Sequence, residues 1–268
     1  MLLPSHFTFF IHNSILSKNI IPRNKCAIAI HACGGVAIPA LSYVERLHLC
    51  ELYMENLLLI DKPPGITSYD VIRRLKPRFP KGTKIGHAGT LDPQATGLMI
   101  IGVGPGTKKL NSYLKLPKIY EAEVLFGVKT DSGDLDGKIM EEKTVERLDS
   151  TILGDAISKM VGKIRLAVPM YSAVKIGGQP LYKYARRGAA TVTAPEKEME
   201  IKSAKLHDLQ CASGRCVANV TLEVASGTYI RSIAEELGRR LGLPATLQNL
   251  RRMSIGEFKV EDAEKIMP

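Results

Sequence analysis

Cysteine is sparse in this chain and spaced wrongly for a metal. Cys26 and Cys33 lie seven residues apart, Cys211 and Cys216 five apart, and neither pair has the second pair that a zinc site needs. That excludes a zinc module and leaves free thiols in a reducing compartment, the cytoplasm, as the expectation. Long apolar runs are lacking as well. The best candidate, Cys26–Val44, is interrupted by His31, Gly34, Gly35, Pro39 and Ser42, whereas a membrane span needs ~20 apolar residues with few breaks. No membrane partner is expected. The chain has no internal repeat and no low-complexity segment, and its strands and helices do not follow a regular βαβ rhythm. A mixed or antiparallel α/β sheet is therefore expected rather than a doubly wound one.

Acidic residues are scarce at the N-terminus. Of 37 basic and 27 acidic residues in the 268-residue chain, residues 1–53 hold four and two, so the remainder carries 33 and 25, a net +8 out of +10. The first segment could be a targeting peptide, a membrane segment or a translated upstream region. It lacks the clean apolar run of a signal peptide and the Arg and Ser content of a transit peptide. It also holds no persistent helical or strand period, and organised pattern begins directly after Met54. Residues 1–53 are thus read as an extension, disordered or preceding the true start, and residues 54–268 as the functional domain. With 45% hydrophobic and 24% charged residues the chain has globular values. Its basic excess points to a polyanion, either nucleic acid or an anionic membrane surface.

Asn56–Asp61 is a short apolar run that predicts a buried strand. Thr67 or Ser68 can cap a helix over Ser68–Pro77. Gly82–Gly89 reads as loop, Leu98–Val103 as a second apolar strand, and Thr107 as the cap of a helix ending at Leu114. Tyr120–Gly127 alternates and predicts a strand with one wet face. Asp149–Val161 predicts a helix with Ile152, Ala156, Ile157 and Met160 inward. Lys163–Pro169, Ile201–Gln210, Cys216–Val224 and Arg251–Lys259 read as strands. Tyr229–Leu241 is a strong helix stopped by Gly242.

Two suggestive motifs fail on the residues they require. Gly102–Lys109 is glycine-rich and basic, but Thr107 separates Gly106 from Lys108, so the Gly-Lys-Ser/Thr of a P-loop is absent. Asp131–Glu142 has the length of a calcium loop, but Asp136 stands where the sixth-position glycine is required, and Gly133 and Leu135 stand at positions three and five. It reads as an exposed acidic turn.

The densest segment is Gly86–Leu98 (GHAGTLDPQATGL), with His87 and Asp92 among glycines before a buried strand. On composition alone it is a structural loop. It matches, however, the G-H-x-G-T-L-D-P-x-A-x-G-x-L signature of the TruB family of tRNA pseudouridine synthases. Asn56–Ser68 (NLLLIDKPPGITS) resembles the family's opening motif, and Lys118-Ile119-Tyr120 its base-stacking tyrosine motif. Tyr171–Lys175 and Leu181–Arg186 resemble its RNA-contacting insertion. Ser226–Arg231 (SGTYIR) and Leu250-Arg251-Arg252 resemble its last two site motifs. The likeness runs in order from about Glu55 to Phe258.

The resemblance implies a pseudouridine synthase fold, with a central mixed, largely antiparallel sheet, flanking helices and an RNA-binding insertion at about residues 163–200. It implies an isomerase that detaches a specific T-loop uridine of tRNA from its ribose, turns it and rejoins it through carbon five, without metal or cofactor. Asp92 matches the nucleophile, attacking either the anomeric carbon or the ring. Arg231 matches its partner, a cation that can hold the carboxylate ionised against desolvation. Because the uridine must be extracted from a folded loop, an aromatic face is needed to receive it, and Tyr120 matches that role. His87 resembles the residue that braces the vacated space in the RNA. Tyr229 resembles the tyrosine beside the base, and Leu250 an apolar wall of the uracil pocket. Lys62 matches the opening lysine, a support for the active-site loop or an RNA contact. Lys108, Lys109, Lys115, Lys118, Lys175, Lys183, Arg186, Arg187, Arg251 and Arg252 are candidates for phosphate contacts. Tyr171, Tyr182 and Tyr184 interleave with them. Where the family usually shows Pro-Pro before Tyr-Ser-Ala, this chain has Pro169-Met170. Many members carry a further small RNA-binding domain. The chain ends ten residues past Phe258, so that domain is expected to be absent, and the protein is expected to be a monomer.

Overall fold

The computed structural model describes residues 56–187 and 192–266, and the structural statements below concern these; the expectation for residues 1–53 lies outside them. The apolar run after Met54 is strand β1 (Leu57–Lys62), followed by helix α1 (Ser68–Leu75). Thr67 caps α1 in a reciprocal capping box with Asp70, which satisfies two N-terminal backbone donors and stabilises the helix by about 1 kcal/mol. Val71, Ile72 and Leu75 form its buried face. Strand β2 (Ile85–Ala88) lies where a loop was expected. It is only four residues long and Gly86 interrupts it, so no alternation is visible in the sequence. Its order comes from pairing with β3 (Thr96–Val103). A side chain at Gly86 would collide with Leu110.

A 3₁₀ turn, Gly104–Lys109, and the short helix α2 (Leu110–Leu114) replace the single Thr107-capped helix that was expected. The Thr107 hydroxyl instead bonds back to the Gly104 carbonyl. Strand β4 (Lys118–Phe126) crosses the centre of the molecule, and β5 (Val128–Thr130) pairs with β6 (Ile139–Glu142) in a small ribbon. Helix α3 (Ser150–Ser158) is capped by Asp149 and points Leu153 and Ile157 inward, followed by Met160. Ile152, expected inward, is 58% exposed. The buried stripe runs one position later, because Leu153, Ile157 and Met160 are the set at i, i+4 and i+7.

After β7 (Gly162–Ala167) come the two-residue strands β8 (Lys175–Ile176) and β9 (Gln179–Pro180), then helix α4 (Leu181–Arg186). The long strand β10 (Glu196–Ala212) pairs with both β7 and β11 (Arg215–Val224). Strands β7 and β10, at the two ends of the segment 163–200 expected as an insertion, belong to the main sheet. Between them the described part of that segment is the hairpin and helix. Ser213 and Gly214 both have positive φ, 53° and 73°, and make the two-residue turn that suits the twist of a hairpin. That turn sets Cys211 opposite Cys216, and the two form a disulfide. The free thiols expected at these positions are therefore corrected: a spacing of five is wrong for a metal but right for two residues facing each other across a tight turn.

Helix α5 (Ile230–Leu241) ends at Gly242, whose φ of 66° needs a residue without Cβ. Strand β12 (Ala245–Ile255) starts six residues earlier than expected, since two bulges against β4 break its period of two. Strands β13 (Phe258–Lys259) and β14 (Glu264–Lys265) close the chain. The main sheet has the order β14-β1-β3-β12-β4-β11-β10-β7, with β2 on β3 and β13 on β12. Only β1–β14 and β3–β12 are parallel, so the sheet is mixed and largely antiparallel, as expected. On one face Ile157 and Met160 meet Ile230, Ile233, Ala234 and Leu237 over Val124, Val220 and Leu222. Each such side chain contributes about 1.5–3 kcal/mol of burial, which anchors α5 and with it the residues of its first turn.

Candidate active site

Asp92 sits on the loop between β2 and β3, and that loop is tied down on both sides. Ser68 at the start of α1 exchanges two hydrogen bonds with the Leu91 backbone: its hydroxyl donates to Leu91 O at 3.0 Å and accepts from Leu91 N at 2.9 Å. On the other side the Pro93 carbonyl accepts from Gly65 N at 3.0 Å and from Lys62 Nζ at 2.8 Å. Lys62 is fully buried and also donates to the carbonyls of Pro63 and Ile66. Its ammonium is pulled down to about 8, because burial outweighs the attraction of Asp92.

Arg231 enters from the first turn of α5. Its Nε lies 3.0 Å from Asp92 Oδ2, and its NH2 donates to Asp92 Oδ1 at 3.3 Å. NH1 donates to Ser132 O at 2.8 Å, NH2 also to Tyr171 O at 3.0 Å, and Asp134 lies 3.7 Å away. The Arg231 side chain is 6% exposed and that of Asp92 40%, so the carboxylate faces an open cleft from a buried, immobile cation. The Asp92 carboxyl is nonetheless raised above the ordinary aspartate range. Burial among protein walls outweighs the pull of Arg231, and Asp134 adds repulsion. The expected cation is in place, but it does not cancel desolvation.

Both groups lie on a cleft of about 800 Å³, together with Tyr120, Tyr229 and Leu250. Tyr120, on β4, is buried and opposes Arg252 across the β4–β12 ladder. Tyr229 precedes α5, and burial raises its phenol above the usual range. A carboxylate fixed by an arginine beside two tyrosines suits nucleophilic attack on an electrophilic carbon of a ligand stacked on an aromatic ring.

A family model for TruB family pseudouridylate synthases (N-terminal domain) matches residues 76–230. The chain belongs to the TruB family. Over 208 residues, 78% of this chain and 70% of the relative, it is 40% identical to a tRNA pseudouridine synthase B of Fusobacterium nucleatum. Over 210 residues it is 39% identical to the enzyme of that name from Endomicrobium trichonymphae, covering 89% of that relative. Among solved structures, a chain of an H/ACA RNP bound to a substrate RNA is similar in fold, with a TM-score of 0.57 at 20% identity over 80% of this chain. This chain spans about half the length of that one, 52%.

Not every residue singled out on the TruB motifs reaches the cleft. Arg186 lines it and stands 5.5 Å over the Tyr182 ring. Lys175 is exposed on the β8–β9 hairpin. His87 is half-buried on β2, away from the cleft lining, and burial lowers its imidazole below the usual range. Four of the basic candidates are engaged by the protein itself rather than standing free for phosphate, and Lys62 holds the Asp92 loop, as its first reading had it. Lys62 is fully enclosed and bound to three carbonyls. Arg251 forms a two-pronged ion pair with Asp61, at 3.1 and 2.8 Å. Lys118 is buried and donates to Leu114 O and Leu116 O. Arg252 is 1% exposed and holds Leu98 O and Gly89 O. In each case the sequence shows the charge but not the carbonyls or carboxylate that engage it.

The site also contains residues that sequence reasoning passed over. The acidic turn rejected as a calcium loop is not simply exposed. Ser132 is buried and gives its carbonyl to Arg231, while Asp134 makes the second ion pair to the same guanidinium. The available signal was the density of Asp, Ser and Gly in a turn. What it serves depends on β5 and β6 carrying that turn to the start of α5.

Proposed function

We propose that this protein is an isomerase of tRNA that converts the T-loop uridine at position 55 to pseudouridine, with Asp92 as nucleophile. The observation that carries the reading is the Asp92 carboxylate clamped by Arg231 at 3.0 Å on the same cleft as Tyr120. The target uridine leaves its stack and enters the cleft against Tyr120, with Leu250 as an apolar wall and Tyr229 beside the ring. Asp92 attacks the anomeric carbon or the ring, the base is released and turned, carbon five bonds to the sugar, and the carboxylate is freed. Tyr229, on the same cleft, assists the departure of the carbon-five proton. His87 braces the space vacated in the T-loop. The T-arm is held by phosphate contacts from exposed cations such as Lys108, Lys115, Lys175, Lys183 and Arg186. The protein acts as a monomer in the cytoplasm, and residues 54–268 carry the activity without the first 53. Among the described residues no helix is long and apolar enough to cross a membrane.

The test is Asp92→Asn with unmodified tRNA and chemical mapping of pseudouridine. The wild type makes one pseudouridine in the T-loop. The variant makes none, while its tRNA affinity stays within a few-fold. Appreciable turnover by the variant refutes the nucleophile, and product elsewhere in the tRNA refutes the T-loop assignment.

A further inference from the structure

Lys62, Lys118 and Arg252 are buried cations, and none of the three has a carboxylate at ion-pair distance among the described residues. Buried charges are ordinarily paired, because desolvation is expensive. Lys62 is explained by its three carbonyls and by its nearness to Asp92. Lys118 and Arg252 are not. Among the described residues, Lys118 gives two N–H groups to Leu114 O and Leu116 O, each at 2.6 Å, and its third has no acceptor there. Arg252 donates through Nε to Leu98 O at 2.7 Å and through NH2 to Gly89 O at 3.1 Å, which leaves NH1 without an acceptor among the same residues. Both residues line the cleft.

Their placement follows from the sheet. Arg252 is the direct partner of Tyr120 across the β4–β12 ladder, and Lys118, two residues before Tyr120, shares its face. Tyr120 therefore shares its sheet face with two buried cations. They also act on each other, since Arg252 helps to depress the Lys118 ammonium, though less than burial does. Arg231 differs in kind. Asp92 and Asp134 both lie against it, so its charge is already compensated.

We infer that Lys118 and Arg252 form an uncompensated positive basin beneath Tyr120 that stabilises the negative charge developing on the uracil ring during turnover. The inference rests on the proposed function and adds the electrostatic part of the uracil pocket. The charge arises on either route. If Asp92 Oδ bonds to C1′, the C1′–N1 bond breaks and its electron pair stays on the ring, spread over N1, O2 and O4. If Asp92 bonds to C6, the C5–C6 π pair moves to C5 and O4, and the C1′–N1 bond then breaks with its pair left on N1. On either route C5 next bonds to C1′, the bond to Asp92 breaks and returns the carboxylate, the C5 proton departs, and N1 takes up a proton from solvent, which neutralises the ring. Fixed cations without counterions, shielded from water, are the arrangement that stabilises a charge present only in the reacting state. Backbone phosphates stay outside the pocket, where exposed cations such as Lys175 and Lys183 stand.

The experiment compares Lys118→Gln, which keeps a donor for the two carbonyls but no charge, with Lys118→Arg, which keeps the charge. Single-turnover rates are measured with saturating enzyme at pH 7, together with tRNA Kd. The wild type is assayed first: absence of pseudouridine there defeats the proposed function and not the basin. Lys118→Gln is expected to react 10- to 100-fold more slowly with Kd within twofold, and Lys118→Arg to stay within fivefold of the wild type. With 5-fluorouridine at the target position the ring is more acidic and its anion needs less help. The Gln defect in glycosidic rearrangement should then shrink to a few-fold. A Gln variant at the wild-type rate overturns the inference. So does a weakened Kd with an unchanged saturated rate, which would assign the cations to a bound phosphate. Should Lys118→Gln fail to fold, a folded Lys118→Arg more than tenfold slow overturns it as well.

Discussion

Replacing Arg231 by Met isolates what the ion pair does for Asp92. A unit pair at the observed 3.0 Å attracts by about 5 kcal/mol at an effective dielectric near 20. With 40% of the Asp92 side chain open to the cleft, solvent screening reduces the useful part to about 2 kcal/mol, a factor of about 30 in rate. The direction in pH is also determined. As the proposed nucleophile Asp92 must be ionised, so activity should rise as pH climbs through its already elevated pKa. Removing the cation while Asp134 remains raises that pKa further and moves the acid limb to higher pH. Single-turnover pseudouridine formation between pH 5.5 and 8.5 reads both effects, with circular dichroism to verify folding. Arg231→Lys keeps the charge and loses the fork to Ser132 O and Tyr171 O. It should hold the acid limb near the wild-type position with a lowered plateau. An Arg231→Met enzyme with the wild-type limb and a plateau within threefold would refute the electrostatic role given to this pair.

Two further predictions concern the frame. Gly97 has φ of +104°, and a Cβ there would run into the Arg252 backbone; Gly97→Ala should lose at least about 3 kcal/mol and lower Tm by about 6–12 °C, and a melt within 2 °C of the wild type would contradict the close approach of β3 and β12. Lys62 and Lys118 titrate at about 8 in the folded protein against about 10.4 unfolded. Between these values the unfolded chain binds more protons, so unfolding free energy should grow as pH rises from 8 to 10. The urea midpoint should climb over that range and climb less in Lys118→Gln, and a flat or falling midpoint in the wild type would count against both buried ammonium groups.

Much of the site was legible because it is built from short local motifs. Asp92, Tyr120, Tyr229, Arg231 and Leu250 lie in separate segments of the chain, each recognisable by its neighbours, and all five converge on one cleft. The strands β1 and β3 and the helix α5 were legible for a different reason: their apolar pattern is continuous enough to set a period without outside help. Strand β2 was not, since four residues around a glycine hold no period and are ordered only by β3.

The sequence by itself determined the family, the motif that carries Asp92 and the general basic character of the chain, because residue type and order carry those directly. The tertiary structure decided which charges are available. Lys118 and Arg252 looked like phosphate-contacting cations in the sequence, and both are buried in the fold. Asp134 looked like a solvated turn and lies against Arg231. Burial and pairing are properties of what the chain folds against, and a charge in a cleft floor differs from the same charge in water by the cost of its hydration. That cost is set by the sheet register that brings Arg252 beside Tyr120 and by the helix packing that carries Arg231 to Asp92.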